Sequence, residues 1–426
     1  MRVCDDANPS LSTKSMKAKL LCENQLGIKP SLWPIQHLYC FWTMDDSWFV
    51  ETSHEITNRH ADSRRALLLA CAATLAVLTA TLWPMDLSPP NGVTWSKSWN
   101  GLQFEENGLV LSKQPLDFRL RDMDSYTIEL ALTPTDFHSS RTILGFYVRG
   151  RTKQLLIMQY HDGMLITHNG SIKSDWTGSI KVDVDHVFRP GELVCIAISS
   201  APNGTTVYVD GQRAETFPAF TISGTELLGN IVLGTSPINY DPWRGAIQGL
   251  AIYAKRLTAA EAKKHWRNWT LHDSLPDLDG AITRYTFTGR MGSQLQNEVP
   301  SGPDLAIPKR FSVPYKAFLA SPPAEFEPGR RYAVDVLMNV GGFIPLGLVV
   351  FSFLSFSRSS TRAMVLGTIF CAALSCLIEI LQYYLPSRGS GITDIITNTL
   401  GGAIGSALPR IGWVHCCLRR MRLMSD

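Results

Sequence analysis

Acids and amides stand inside stretches of this chain that otherwise carry almost no charge. Asp335, Asn339 and Gly342 recur at i, i+4 and i+7, one face of a helix. Ser375, Glu379 and Gln382 share a second face, and Asp394, Asn398, Gly401 and Gly405 a third. A charge at mid-bilayer costs roughly 2.5–3.5 kcal/mol on insertion scales, so these groups need a reason to be there. They either build a binding or catalytic site or join helices by hydrogen bonds, and both readings stand. Crowded carboxylates raise one another's pKa, so one of the three acids is expected to hold a proton at neutral pH. Arg388, between the second and third sets, is expected to reach them and offset the negative charge. No Ser/His, Cys/His or H-E-x-x-H arrangement accompanies them, which removes serine-protease and zinc-protease chemistry. Carboxylate chemistry or proton-coupled transport remains, and no residue is assigned as catalytic.

The apolar runs that hold these residues read as membrane spans. The first, uncharged from Ala66 to Trp83, matches the roughly 20 residues that cross a bilayer. Three more crowd the C-terminus: Val336–Phe356, Ala363–Leu385 and Ile395–Leu408. Arg64 and Arg65 precede the first span, Arg358 and Arg362 link the second and third, and Arg410, Arg419, Arg420 and Arg422 follow the fourth. With all three basic groups cytoplasmic, four spans alternate without contradiction, both termini lie inside, and the long stretch from Asp86 to Asp335 lies outside. Its orientation brings the outer ends of spans two, three and four together, and with them the three polar sets. Gly342, Gly347, Gly401 and Gly405 suit close helix packing. An uncleaved anchor fits span one better than a signal peptide, because the preceding segment is long and no A-x-A site follows. Met44 is an alternative start, leaving residues 1–43 untranslated or disordered.

The 426 residues suggest two or three domains. Charged residues make up 18%, below the roughly 25% of a soluble chain, and the mean hydropathy is +0.01, the average of a polar part and strongly apolar spans. Forty Lys and Arg against 37 Asp and Glu give a net +3 without a basic run, which excludes nucleic acid as a partner. Of nine cysteines only Cys195 falls outside, so no disulfide staples the outer domain.

Between Trp95 and Trp269 the pattern changes to short alternating strands. Tyr126–Leu132, Thr142–Val148, Leu155–Gln159 and Leu193–Ile198 alternate with period two, and Asp210-Gly211, Asn203-Gly204, Asn169-Gly170 and Asp162-Gly163 supply turns. Thr258 and Glu261 form a capping box at the start of one helix. Many short strands with frequent turns indicate an all-β sandwich. The fold class is therefore multidomain: a jelly-roll sandwich ectodomain plus a helical bundle of four transmembrane spans. Its parts are a cytoplasmic or disordered segment (1–62), span one (66–84), the sandwich (95–270), a β-rich outer segment and linker (271–333, with strands at Ala281–Phe287 and Arg310–Leu319), the three-helix membrane region (334–412) and a cytoplasmic tail (413–426). Asp183 and Asp185 alternate on one strand face, but the paired acids about 5–5.5 Å apart that a retaining glycosidase needs are not recognisable. Loop carboxylates allow Ca2+ in the sandwich, with no ligand set to name. The sequons at Asn169, Asn203 and Asn268 matter only in a secretory host, and the remainder reads as bacterial.

Two resemblances rest on these residues. SYTIELALTP, VCIAISSAPNGTTVYVDGQ and WRGAIQGLAIYAKRLTAAEAKKHW, with Gly245, Ile247, Ala251–Ile252–Tyr253, Leu257, Thr258 and Glu261, resemble the laminin-G-like, concanavalin A-type sandwich. The resemblance implies a jelly roll that binds sugars, proteins or lipids, and does not fix one ligand. DVLMNVGGFIPLGL and SCLIEILQYYLPSRGSGITDIITNTLGGAIG resemble the VanZ-like membrane family. Asp335, Asn339, Phe343, Pro345, Gly347, Glu379, Gln382, Arg388, Asp394, Asn398, Gly401 and Gly405 carry the match. It implies an envelope membrane protein, with a family link to glycopeptide (teicoplanin) antibiotic resistance; the large ectodomain departs from the family pattern. The function expected is a cell-envelope membrane protein, in the inner membrane with its large domain on the extracytoplasmic side. It contacts membrane lipids and binds a glycan or an envelope protein through the sandwich, and no enzymatic activity is assigned to it. The alternative is an intramembrane enzyme or transporter acting on lipid-linked envelope precursors through the acidic cluster.

Overall fold

A computed structural model describes residues 46–97, 99–116, 123–137, 140–151, 154–168, 181–271, 278–288, 291–326 and 329–424, with side chains from Asn58 onward. Met44 and the Asn169-Gly170 turn lie outside the described residues. The chain divides into two compact units. One comprises the chain up to Thr81, Arg330–Cys376 and Asp394–Asp426; the other comprises Leu82–Gly329 and Leu377–Thr393.

The first unit is helical. Helix α1 (Asp46–Leu82) opens it. The strands then follow, belonging to the second unit, as do α2 (Gly224–Leu227), α3 (Ala259–Leu271) and α4 (Pro322–Glu325). The helical unit resumes with α5 (Arg330–Ser355), α6 (Ser360–Tyr383), α7 (Ile392–Ala407) and α8 (Gly412–Arg420). Among the described residues, three helices are long and apolar enough to cross a membrane: Asn58–Leu82 within α1, α5 and α6. Helix α7 has 16 residues, about 24 Å at 1.5 Å per residue, and a 3-10 turn at Leu408–Arg410 ends it. The expected fourth span is thus a helix shorter than the roughly 30 Å bilayer core. Within this unit, Arg59 Nη2 donates to Phe356 O at 3.0 Å. The start of the apolar part of α1 and the link between α5 and α6 therefore lie on one side.

The second unit is a sandwich of two antiparallel sheets. In chain order the strands are β1 (Val93–Trp95), β2 (Leu102–Phe104), β3 (Val110–Ser112), β4 (Tyr126–Pro134), β5 (Ser140–Tyr147), β6 (Leu155–Tyr160), β7 (Gly163–Thr167) and β8 (Lys181–Val184). They continue as β9 (Val194–Ala201), β10 (Gly204–Val209), β11 (Gln212–Phe217), β12 (Asn230–Leu233), β13 (Gly245–Tyr253), β14 (Ala281–Tyr285), β15 (Gln294–Leu295) and β16 (Leu305–Ala306). One sheet runs β1-β2-β13-β4-β9-β10-β11, with β14 also on β13; the other runs β15-β16-β3-β12-β5-β6-β7-β8. Alternating apolar residues of both sheets meet in one core that includes Phe104, Leu130, Phe146, Ile157, Ile198 and Trp243. The β10–β11 hairpin turns at Asp210 and Gly211, both with positive φ (50° and 72°), the geometry of the turn that Asp-Gly favours. Thr258 caps α3 as expected: its N–H donates to Glu261 Oε2 at 2.8 Å, and the Glu261 N–H donates to Thr258 Oγ1 at 3.3 Å.

Three short strands between residues 281 and 306 join the sandwich sheets. Strand β14 extends one sheet, and β15 and β16 extend the other. The strand expected over Arg310–Leu319 does not form. Pro308 and Pro314 remove ladder donors, and a turn brings the Lys316 N–H to Val313 O at 3.4 Å; Phe311 and Val313 are buried without pairing as a strand. Entry to and exit from the sandwich run side by side: Pro90 bridges Arg310, the Phe311 N–H donates to Pro89 O at 2.8 Å, and the Asn91 N–H donates to Lys309 O at 3.3 Å.

Candidate functional site

Within the helical unit the polar residues pair across helices. Asn339 of α5 donates from Nδ2 to Asp394 Oδ1 of α7 at 2.7 Å. Asn398, one turn further along α7, donates from Nδ2 to Ser375 Oγ of α6 at 3.0 Å. Its Oδ1 is buried and accepts no hydrogen bond among the described residues. Asp335, one turn before Asn339, is exposed. The glycines divide. A Cβ on Gly401 would run into Val340 O, one on Gly405 into Ile344 O, and one on Gly347 into Gly402 O, so α5 and α7 touch backbone to backbone. Gly342 faces open space instead.

Within the second unit the end of α6 is held by the chain that follows and by the linker. Glu379 is 1% exposed, and its Oε2 accepts the Gly391 N–H at 2.8 Å. Ser390 Oγ donates to Glu379 O at 3.0 Å. Glu325, on α4, accepts the Thr393 N–H at 3.1 Å. The start of α7 thus offers its free N–H groups to two carboxylates, which suits the positive end of a helix dipole. Gln382 is buried, and its carbonyl is one of three that accept from Lys316 Nζ: Gln382 O at 2.7 Å, Tyr383 O at 3.0 Å and Leu385 O at 2.8 Å. An ammonium there satisfies the orphan carbonyls at the C-terminus of α6. Burial pushes Lys316 down to about 8, with the Glu379 carboxylate acting the other way. Arg388, expected beside the acids, donates from Nη2 to Trp83 O at 3.1 Å, and the Ser88 N–H donates to Tyr384 O at 3.1 Å. These two bonds tie the residues after α1 to those after α6.

Glu379→Gln keeps an acceptor for the Gly391 N–H, so the variant is expected to melt near the parent. Glu379→Leu leaves that buried N–H without its partner, at about 1–3 kcal/mol. Thermal melting of the full chain in detergent checks this. Equal melting of the Leu variant and the parent would show that the carboxylate does not hold the loop.

A second group of chemically capable residues lies at one end of the sandwich, where sequence reasoning placed no site. A cavity of about 220 Å³ is lined by Asp136, Arg141, Gln159, Tyr240, Trp243 and Arg244, with Glu106 at its edge. These come from the β2–β3, β4–β5 and β12–β13 connections and from strands β5 and β6. Trp243, 1% exposed, forms the floor and donates from Nε1 to Gln159 Oε1 at 2.7 Å. Gln159 Nε2 donates in turn to the carbonyls of Asp136 and His161. Tyr240 donates its hydroxyl to Asn107 Oδ1 at 2.9 Å and sets its ring edge-on to Phe311. Arg244 pairs with Glu106 at 2.7 Å, and Arg141 lies 3.7 Å from Asp241. Asp241 accepts from Thr142 Oγ1 at 2.6 Å; burial raises its pKa above the usual carboxylate value, with Thr142 and Arg141 opposing. Planar donors and acceptors around an aromatic wall can take hydroxyl groups two at a time and cover an apolar ring face.

Other expectations separate more simply. Asp183 is exposed on the edge strand β8. Cys195 is buried, and burial pushes its thiol up to about 12, so it stays protonated. Among the described residues, no group of three or more His, Cys, Asp or Glu could hold a metal ion.

Comparison with known proteins bears out both resemblances. Residues 285–413 match the VanZ/LLP1 family, a match that begins inside the sandwich at β14. Residues 109–263 match the concanavalin A-like lectin/glucanases superfamily. No curated protein matches the chain. Among solved structures, the CBM40 domain of the Ruminococcus gnavus IT-sialidase, bound to α2,3-sialyllactose, is 14% identical with a TM-score of 0.31, covering 39% of this chain and 95% of that one. A putative carbohydrate-binding protein from Bacteroides ovatus is 11% identical with a TM-score of 0.33, covering 53% and 62%. A SAP-like pentraxin from Limulus polyphemus is 13% identical with a TM-score of 0.29, covering 41% and 78%.

Proposed function

We propose that this chain is a glycan-binding membrane protein of the cell envelope, anchored by its VanZ-like helices and reading a saccharide with the sandwich. The observation that carries the reading is the polar, aromatic-floored cavity bounded by Asp136, Arg141, Gln159, Tyr240 and Arg244. The match to a lectin-type superfamily over the strands that frame it supports the same reading. The sandwich is assigned to the extracytoplasmic side by the basic residues at the opposite helix ends. The Arg59–Phe356 bond, which puts two of those basic groups on one side, supports that assignment. The polar groups of the helices act as ties: Asp394 accepts an amide N–H from Asn339, and Glu379 and Glu325 accept backbone N–H groups at the start of α7.

A glycan array probed with the full chain in nanodiscs, with and without Ca2+, tests the proposal. Binding to at least one saccharide is expected. Arg244→Ala, which removes a charge-assisted donor worth about 1.5–3 kcal/mol, is expected to weaken it tenfold or more. An array with no positive saccharide in either condition overturns the glycan reading and leaves an envelope protein as the sandwich's partner. Loss of binding on calcium removal would place Ca2+ in the site.

A further inference from the structure

The cavity at the end of the sandwich has a neighbour. A second cavity, of about 270 Å³, shares Glu106 and Tyr240 with it as a common wall. Its opposite wall is formed by Pro84, Asp86, Leu385, Pro386 and Ser387. Pro84 stands two residues after Leu82, where α1 ends, and Leu385 two residues after Tyr383, where α6 ends. Both helices are able to cross a membrane. That wall is therefore made from the first residues to leave two apolar helices.

The surroundings carry the mark of a headgroup layer. Trp83 is 66% exposed, Tyr384 54% and Phe318 53%. All three belong to the same cluster: Trp83 O accepts from Arg388, Tyr384 O accepts from the Ser88 N–H, and the Phe318 ring meets Tyr383 at 5.1 Å. Exposed Trp and Tyr beside arginine, at the ends of spans, are what the membrane–water interface covers. A soluble surface has little use for such a patch.

We infer that the two cavities form one site for the saccharide head of a membrane-borne, uncharged glycolipid, entered from the headgroup layer. The inference rests on the glycan reading above and adds how the ligand is presented. The first cavity takes the sugar, and the second takes the glycosidic link toward the lipid. Asp86 and Glu106 line the second cavity and, among the described residues, no Lys or Arg does, so it suits sugar hydroxyls as donors and disfavours a phosphate linkage.

The test uses the full chain in phosphatidylglycerol–phosphatidylethanolamine nanodiscs, read by native mass spectrometry of the lipids it retains. The discs carry monoglucosyl, diglucosyl or digalactosyl diacylglycerol, or a polyprenyl-diphosphate disaccharide. The corresponding free disaccharides are titrated separately. Retention of at least one glycosyl diacylglycerol, at tenfold or more over the polyprenyl diphosphate, is expected. Ser387→Trp, which fills the second cavity from an exposed position, is expected to abolish retention while weakening free-disaccharide binding far less and leaving the melting temperature at the parent's. Arg244→Ala is expected to lose both. Free disaccharide that binds while no glycosyl diacylglycerol is retained, or retention that Ser387→Trp does not alter, overturns the inference and leaves the glycan reading standing. Preferential retention of the polyprenyl diphosphate overturns the uncharged assignment. Failure of both lipid-borne and free saccharides sinks the glycan reading with it.

Discussion

Replacing Glu129 by alanine is expected to lower the melting temperature of the sandwich by roughly 6–20 °C. Glu129 sits in the middle of β4, opposite Ala197 and Ala251 in the flanking strands, and is 2% exposed. A charge in that position is tolerable only when fully paired. His265 Nδ1 lies 2.8 Å from Oε1, and Trp269 Nε1 donates to Oε2 at 3.1 Å. Both partners stand on one face of α3, four residues apart, so the carboxylate pins the helix to the sheet over the small side chains of Ala131 and Ala251. Deleting it strands two buried ring nitrogens and opens a void. Breaking a buried pair in this way costs about 3–5 kcal/mol. Glu129→Gln keeps an acceptor for Trp269 and is expected to lose less than half as much. Thermal unfolding followed by tryptophan fluorescence decides it: a Glu129→Ala variant melting within about 2 °C of the parent would show that α3 is held by apolar contacts alone.

The second large effect belongs to the helical unit. Gly405→Leu is expected to prevent the chain from accumulating in the membrane, whereas Gly342→Leu is expected to be tolerated. The two glycines read alike in the sequence. In the structure, a side chain on Gly405 meets Ile344 O, and one on Gly342 meets nothing. Backbone clashes cannot be relieved by a rotamer change, so the cost is about 3 kcal/mol or more, at the top of the range for overpacking. Membrane-fraction immunoblots and detergent melting of both variants provide the check. Equal accumulation would mean that α5 and α7 are free to separate by a side chain's width.

This contrast marks where periodicity stops being informative. Spacing placed Asn339, Ser375, Glu379, Asp394 and Asn398 on helix faces, and the helices follow, because a helix of 3.6 residues per turn leaves few alternatives. Asp-Gly at 210–211 and the Thr258–Glu261 box mark their turn and cap, because both are satisfied by residues two or three apart. Lys316 and Glu325 were illegible as partners of the helix ends. They come from a proline-rich linker and act across roughly 70 residues of sequence, and the linker resembled a weak strand followed by a spacer. The cavity of the sandwich was hidden for the same reason. Glu106, Asp136 and Tyr240 come from separate connections and Gln159 from a strand, and no spacing rule joins elements that only the closed sandwich brings together.

The paired entry and exit of the sandwich, where Pro89 and Asn91 run beside Phe311 and Lys309, bear on how such a protein arises. Two chain ends held one hydrogen bond apart can be spliced into almost any tight surface turn without prying that turn open. For the host helices, acquiring the whole sandwich is then geometrically equivalent to lengthening a loop. Ancestral recombination could exchange one such body for another, and a cargo domain grafted between residues 91 and 309 should inherit the same tether.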